Sequence, residues 1–277
     1  MVSISNSFRF READLNVIWS LHFLLPLFES SFGREYTLGE PCEIYNDSKS
    51  SCPELQICYQ PIRIRLSLDK TGYWNQLIFQ LSHELCHYVL RQYRLNTFYS
   101  NACLSWYEEI ACTAFSWCAL KYAAVNWHNC DLSKQCPDYS QYMSSYLTHE
   151  LGKPCNHCFS CCNTIDQLLD YEHNRQAESD RYSQRTEIRT LYDALVPDYA
   201  SAKVLGNYYK YMRSNGVTID FNQWMEHESS PLLAVLEYIQ PVKDTDNWVL
   251  YVFFASRYQF KEKHGAVTVR FFDPQIL

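Results

Sequence analysis

The sequence predicts an α+β fold in which helices dominate. Three observations point there: one strictly alternating stretch, several segments with apolar residues at helical spacing, and a folded protein's composition. The 277 residues are 47% hydrophobic and 20% charged, with seven Gly and ten Pro. That length suits one large domain or two modest ones, and the scarcity of Gly and Pro excludes a linker-rich or low-complexity chain. A formal net charge of −7 argues against a nucleic-acid binder that works through a broadly basic surface.

Each element follows from local pattern. Residues 1–30 read as a helical or irregular apolar entry segment. Arg9, Arg11, Glu12 and Asp14 precede the short apolar stretch Leu21 to Phe28, which Pro26 interrupts, and this is not the layout of a signal peptide. No run of about eighteen apolar residues occurs, so no membrane span is expected. Thirteen cysteines, an odd count without an export signal, predict reduced thiols and a cytoplasmic protein. Residues 33–61 read as loops with short strands. Ile62, Ile64, Leu66 and Leu68 then alternate with Arg63, Arg65 and Ser67, the pattern of a half-buried strand.

From about Tyr73 to Tyr93, Trp74, Leu77, Ile78, Leu81, Leu85, Tyr88 and Val89 form one helical stripe, with Gln76, Gln80, His83 and His87 on the other side. A second helix is expected from Ser105 to about Ala124, opened by a Ser105–Glu108 capping box. Val125 to Cys162 reads as loop-rich and cysteine-dense, and Asn163 to about Arg213 as helical again. The charged run Glu172 to Arg189 reads as a solvated helix face, and the Tyr-rich 207–212 segment as packing. A helix pair broken at Ser229-Ser230-Pro231 is expected over Asp220 to Ile239, and two strands over Trp248–Ser256 and Ala266–Phe272. The change in composition near residue 160 places a domain boundary there, between a first domain over 1–160 and a mostly helical region over 161–277.

His83-Glu84-Leu85-Cys86-His87 is the sharpest signal. With nine His and seventeen Glu in the chain, roughly 0.02 matches to this pattern are expected by chance. Two imidazoles four residues apart on a helix differ by about 40° and can reach one metal ion. Glu84 is rotated by about 100° from His83, where its carboxylate can take a proton from a metal-activated water without ligating the metal. A catalytic zinc needs a third protein ligand. Glu108 and Glu109, on the next helix, are the candidates. With Glu108 occupied in the capping box, Glu109 is the preferred ligand and Glu108 the alternative. Further on, Cys155, Cys158, Cys161 and Cys162 follow Cys130 and Cys136. Unligated thiols, or a second, structural zinc at the Cys155/Cys158 region, are both compatible with that spacing. Cys86, Cys112 and Cys118 read as small core residues of the two helices.

This combination resembles the gluzincin, or thermolysin-like, branch of the zincin metallopeptidases, in which His-Glu-x-x-His on one helix is completed by a Glu on the next. The resemblance covers about residues 62–125. It implies a zincin-like core of edge strand 62–68, active-site helix and Glu-bearing helix. It also implies zinc on His83, His87 and Glu109, Glu84 as general base and acid, and a peptide or protein substrate paired along the strand. The chain departs from the family where Glu108-Glu109-Ile110 replaces the usual Asn-Glu or Glu-Gly pair. For the oxyanion-stabilising group, His128, His149 and His157 are the candidates by position. The expectation is a zinc-dependent metallopeptidase without membrane or nucleic-acid partners. The alternatives are a non-enzymatic, cysteine-rich interaction module with a structural metal, and a metal-dependent hydrolase of a non-peptide amide.

Overall fold

The computed structural model describes residues 7–95, 97, 103–154, 159, 162–173 and 184–242, with the backbone of two strands at 259–263 and 266–270. A four-stranded mixed sheet and a set of helices share one hydrophobic cluster that takes in residues from Phe8 to Ile239. The architecture is α+β and helix-dominated, as the sequence predicts. No helix among the described residues is long and apolar enough to cross a membrane.

The sheet is built from β1 (Phe8–Phe10), β2 (Cys42–Asn46), β3 (Glu54–Gln56) and β4 (Ile62–Leu66), in the order β1-β2-β4-β3. β1, β2 and β4 run parallel, and β3 is antiparallel to β4. The alternation in β4 is the one expected, with Ile62, Ile64 and Leu66 buried. Its position is not. β4 lies inside the sheet, and the edge is β3. The charges of Arg63 and Arg65, which suit an edge strand, instead answer carboxylates directly opposite: Arg63 pairs with Glu43 at 2.9 Å and Arg65 with Glu54 at 2.9 Å.

The ladder also stops at Leu66, two residues short of the predicted end. Ser67 exchanges both backbone bonds with the Gln80 amide, at 2.9 Å each. Leu68 does the same with Asn46, at 3.0 and 2.9 Å. Two side-chain amides thus replace the neighbouring strands and satisfy backbone groups that would otherwise be unpaired.

Around the sheet lie α1 (Leu15–Phe32) and the one-turn α2 (Arg34–Thr37), then α3 (Trp74–Arg94) and α4 (Ser105–Asn126). Asp14 caps α1 by accepting from Asn16 N at 2.9 Å, and the helix ends at Gly33, whose φ of 98° favours glycine. α3 and α4 make the most extensive helix–helix contact in the molecule. The stripe of α3 is buried as predicted, and Cys86, Cys112 and Cys118 are core thiols.

The opening of α4 differs from expectation. Leu104 is the N-cap and gives no side-chain bond. Instead Glu172 accepts from Trp106 N at 2.6 Å, while the Trp106 indole donates to Val217 O at 2.8 Å. No Ser105–Glu108 capping box forms, and Glu108 turns inward.

Residues 127–139 form three 3-10 turns, and α5 (Ser140–Gly152) follows in a region expected to be loop. Its buried residues, Met143, Leu147 and Glu150, are spaced i, i+4, i+7. α6 (Ile165–His173), α7 (Arg185–Leu195), a 3-10 segment (Tyr199–Tyr211), α8 (Phe221–His227) and α9 (Pro231–Ile239) are the remaining helices among the described residues. The break at Ser229-Ser230-Pro231 falls where expected, with Ser230 accepting from Leu232 N and Pro231 at the first turn. The run ending at Arg189 is only partly solvated, because Arg185 and Glu187 are buried. β5 (Gln259–Lys263) and β6 (Ala266–Arg270) pair antiparallel. The strand expected at 248–256 and the thiols Cys155, Cys158 and Cys161 lie outside the described residues.

Candidate metal centre

The contacting faces of α3 and α4 carry the site. His83 and His87 project from successive turns of α3, and Glu109 from the second turn of α4. His87 Nε2 lies 3.2 Å from His83 Nε2. The Glu109 carboxylate completes the group, at 3.4 Å from His83 Nε2 and 3.3 Å from His87 Nε2. One ligand atom from each of the three falls within 4.8 Å of the other two, and among the described residues no other group of three His, Cys, Asp or Glu side chains converges in this way.

This donor set fits a metal ion. Two imidazole lone pairs and a carboxylate facing one another repel unless a cation or protons lie between them. Two His and one carboxylate are also a common zinc donor set. Electrostatics express the same demand. Burial pulls the His87 imidazole down, yet hydrogen bonds to Glu108 and Glu109 and the charges of Glu109 and Glu84 carry it well above its ordinary value. Burial would raise Glu109, but its bonds to His83 and His87 hold it well below the usual carboxylate range.

The outer face of each imidazole is also held. His87 Nδ1 meets Glu108 Oε2 at 3.3 Å. Because an ionised carboxylate only accepts, the nitrogen donates, leaving Nε2 for a metal. The second Glu108 oxygen takes bonds from the Arg94 guanidinium and the Tyr208 hydroxyl, and Arg94 Nη1 is 2.6 Å from the Tyr208 oxygen. Burial works against the Glu108 charge, but the His87 bond and the Arg94 charge bring its pKa down to about 2. On the other ligand, Thr113 Oγ1 lies 3.5 Å from His83 Nδ1.

The cluster borders a cavity of about 770 Å³. Glu84, 3% exposed, lines it beside the two histidines. The rim on the sheet side is the edge strand β3 with the residues before it, and the far wall includes Tyr146 of α5 and Arg185 of α7. Of the groups predicted from sequence, the structure brings His83, Glu84, His87, Glu108 and Glu109 together. His128 and His149 are exposed and are not among the lining residues, and His157 lies outside the described residues. Sequence reasoning missed Tyr208 and Arg94, which follow no local motif, and Tyr146, one of twenty-two tyrosines.

Fold and site together define a helix-dominated α+β protein with a His-His-Glu group able to hold a metal ion. No protein-family model, curated protein or solved structure matches the chain.

Proposed function

We propose that this protein is a zinc-dependent metallopeptidase with a zincin-like core. The observation that carries the reading is the convergence of His83 Nε2, His87 Nε2 and the Glu109 carboxylate on two packed helices, at a cavity that Glu84 also lines. When bound, zinc supplies Lewis acidity, polarising a carbonyl and making water acidic near neutral pH. Glu84 takes the proton from the attacking water and passes it to the leaving amine. Its burial keeps that exchange away from bulk solvent. Among the described residues β3 is an edge strand that lines the same cavity as the metal ligands, and its backbone N–H and C=O groups would pair with an extended peptide. Tyr146, the tyrosine among the lining residues, supplies a phenol to stabilise negative charge on the carbonyl oxygen.

The test pairs metal analysis with a peptide-library assay on wild type and E84Q. One zinc per chain in both proteins, with turnover about 10²–10⁴-fold lower in E84Q, supports the assignment. E84Q turning over like wild type removes Glu84 as the base. A wild type that takes up no zinc on reconstitution removes the enzyme reading.

A further inference from the structure

We infer that Glu108, Arg94 and Tyr208 form a buried positioning network that holds His87 in its metal-binding orientation and ties the metal centre to the 199–211 segment. The inference rests on the metal-site reading above and assigns to it three residues that do not themselves ligate the metal.

The argument begins with helix geometry. Glu108 and Glu109 are consecutive, so their side chains leave α4 about 100° apart and cannot both approach the same point from the same side. Glu109 takes the inner side of the histidine pair, and Glu108 reaches the outer nitrogen of His87. A carboxylate on Nδ1 selects the tautomer with Nε2 free to ligate, and fixes the ring's rotation. The two histidines are held differently: a carboxylate faces His87 Nδ1 at 3.3 Å, while the neutral Thr113 hydroxyl lies 3.5 Å from His83 Nδ1.

Glu108 can act in this way because it is itself immobilised. It is 4% exposed, and Arg94, 7% exposed, comes from α3 about two turns beyond His87, on nearly the same face. Arg94 neutralises the carboxylate, so burial does not force a proton onto it. Tyr208, fully buried, bonds both partners and receives Leu104 N at 3.4 Å. For Glu108 to ligate a metal directly, it would have to abandon these contacts. One chain of bonds therefore runs from α3 through α4 to a residue 100 positions further along the sequence.

The experiment measures zinc affinity by competition with a chromophoric chelator in wild type, E108A, E108Q, R94M, Y208F and E109A. The melting temperature of each metal-free protein is measured alongside, with long-range ¹H–¹⁵N NMR of the zinc-loaded His87 ring. The expected result is a loss of about 10–100-fold in E108A. A smaller loss is expected in Y208F, recovery of most of the E108A loss in E108Q, whose amide oxygen still accepts from Nδ1, and a wild-type His87 signal with the proton on Nδ1. Zinc affinity that follows melting temperature across E108A, R94M and Y208F would reduce the network to a structural role and overturn the proposal. Wild-type affinity in E108A would also overturn it. So would zinc retained in E109A but lost in E108A, which would make Glu108 the ligand. If E108A does not fold, Y208F against E108Q decides by the same criteria. A wild type that binds no zinc fails the underlying reading instead, and is recognised because no variant then differs from it.

Discussion

At the scale of single residues, the His87 imidazole is held between two carboxylates and a second imidazole, and this makes the centre sensitive to protons. In the metal-free protein the folded-state pKa of His87 lies well above 6.5. Its interactions therefore stabilise the fold fully below pH 6.5, and that contribution is lost as pH rises through the raised value. Glu108 behaves oppositely. Its pKa falls from 4.5 to about 2, so its contribution is present above pH 4.5 and lost as pH falls toward 2. Both contributions coexist between these limits. Zinc requires neutral His87, so metal uptake releases a proton and weakens as pH falls. The expected outcome is that metal-free wild type exceeds H87Q in melting temperature most clearly between pH 4.5 and 6.5. The extra stability conferred by zinc should grow as pH rises through neutrality. A zinc effect independent of pH over that interval would contradict the assignment of His87 as a ligand.

At the scale of elements, α3 has to present the histidines at a fixed height relative to the sheet, and Gln80 sets that height. It lies one turn before His83, with its amide on both backbone groups of Ser67. Removing it in Q80A leaves two backbone groups with lost partners, at an expected cost of about 1–3 kcal/mol, read from urea denaturation of the metal-free protein. A cost below about 0.5 kcal/mol, the range of an ordinary surface substitution, would show that this clamp is dispensable. The comparison of elements also shows what the sequence carries and what it does not. The helix of His83 and His87, the alternation of 62–66 and the break at Ser230-Pro231 are local patterns and were readable. Whether β4 is an edge depends on β3, three residues after Pro53, too short to announce itself. α5 shows only Met143, Leu147 and Glu150 on its buried face, and its Ser, Thr and Gln residues hide that stripe. Glu109 groups with the two histidines while Glu108 faces the outer nitrogen of His87, and the capping box behind the preference for Glu109 does not form. Glu108 is engaged by His87, Arg94 and Tyr208, contacts 14 to 100 positions away that no local reading supplies.

At the scale of the whole molecule, the metal centre depends on how the 199–211 segment seats against α3. Gly206 lies at that contact, and a Cβ there would meet the Tyr93 ring at 2.5 Å. The ring has no room to retreat. It stacks on Tyr36 at 3.6 Å between centroids, and its hydroxyl donates to Phe32 O at 2.7 Å. Glycine is therefore required here for space. The G206A substitution must move either Tyr93, whose neighbour along α3 is Arg94, or the segment that carries Tyr208. Both motions disturb the bonds that fix Glu108. Overpacking of this kind costs about 1–3 kcal/mol, even though alanine is intrinsically the better helix former. G206A should thus lose stability in urea denaturation and also bind zinc more weakly than wild type, although residue 206 touches no ligand. G72A is the matched control, since a Cβ at Gly72 meets nothing within 4 Å, and it should leave zinc affinity unchanged. If G206A is destabilised but binds zinc like wild type, the segment supports the fold without governing the centre, and the coupling between the two halves of the chain is confined to packing.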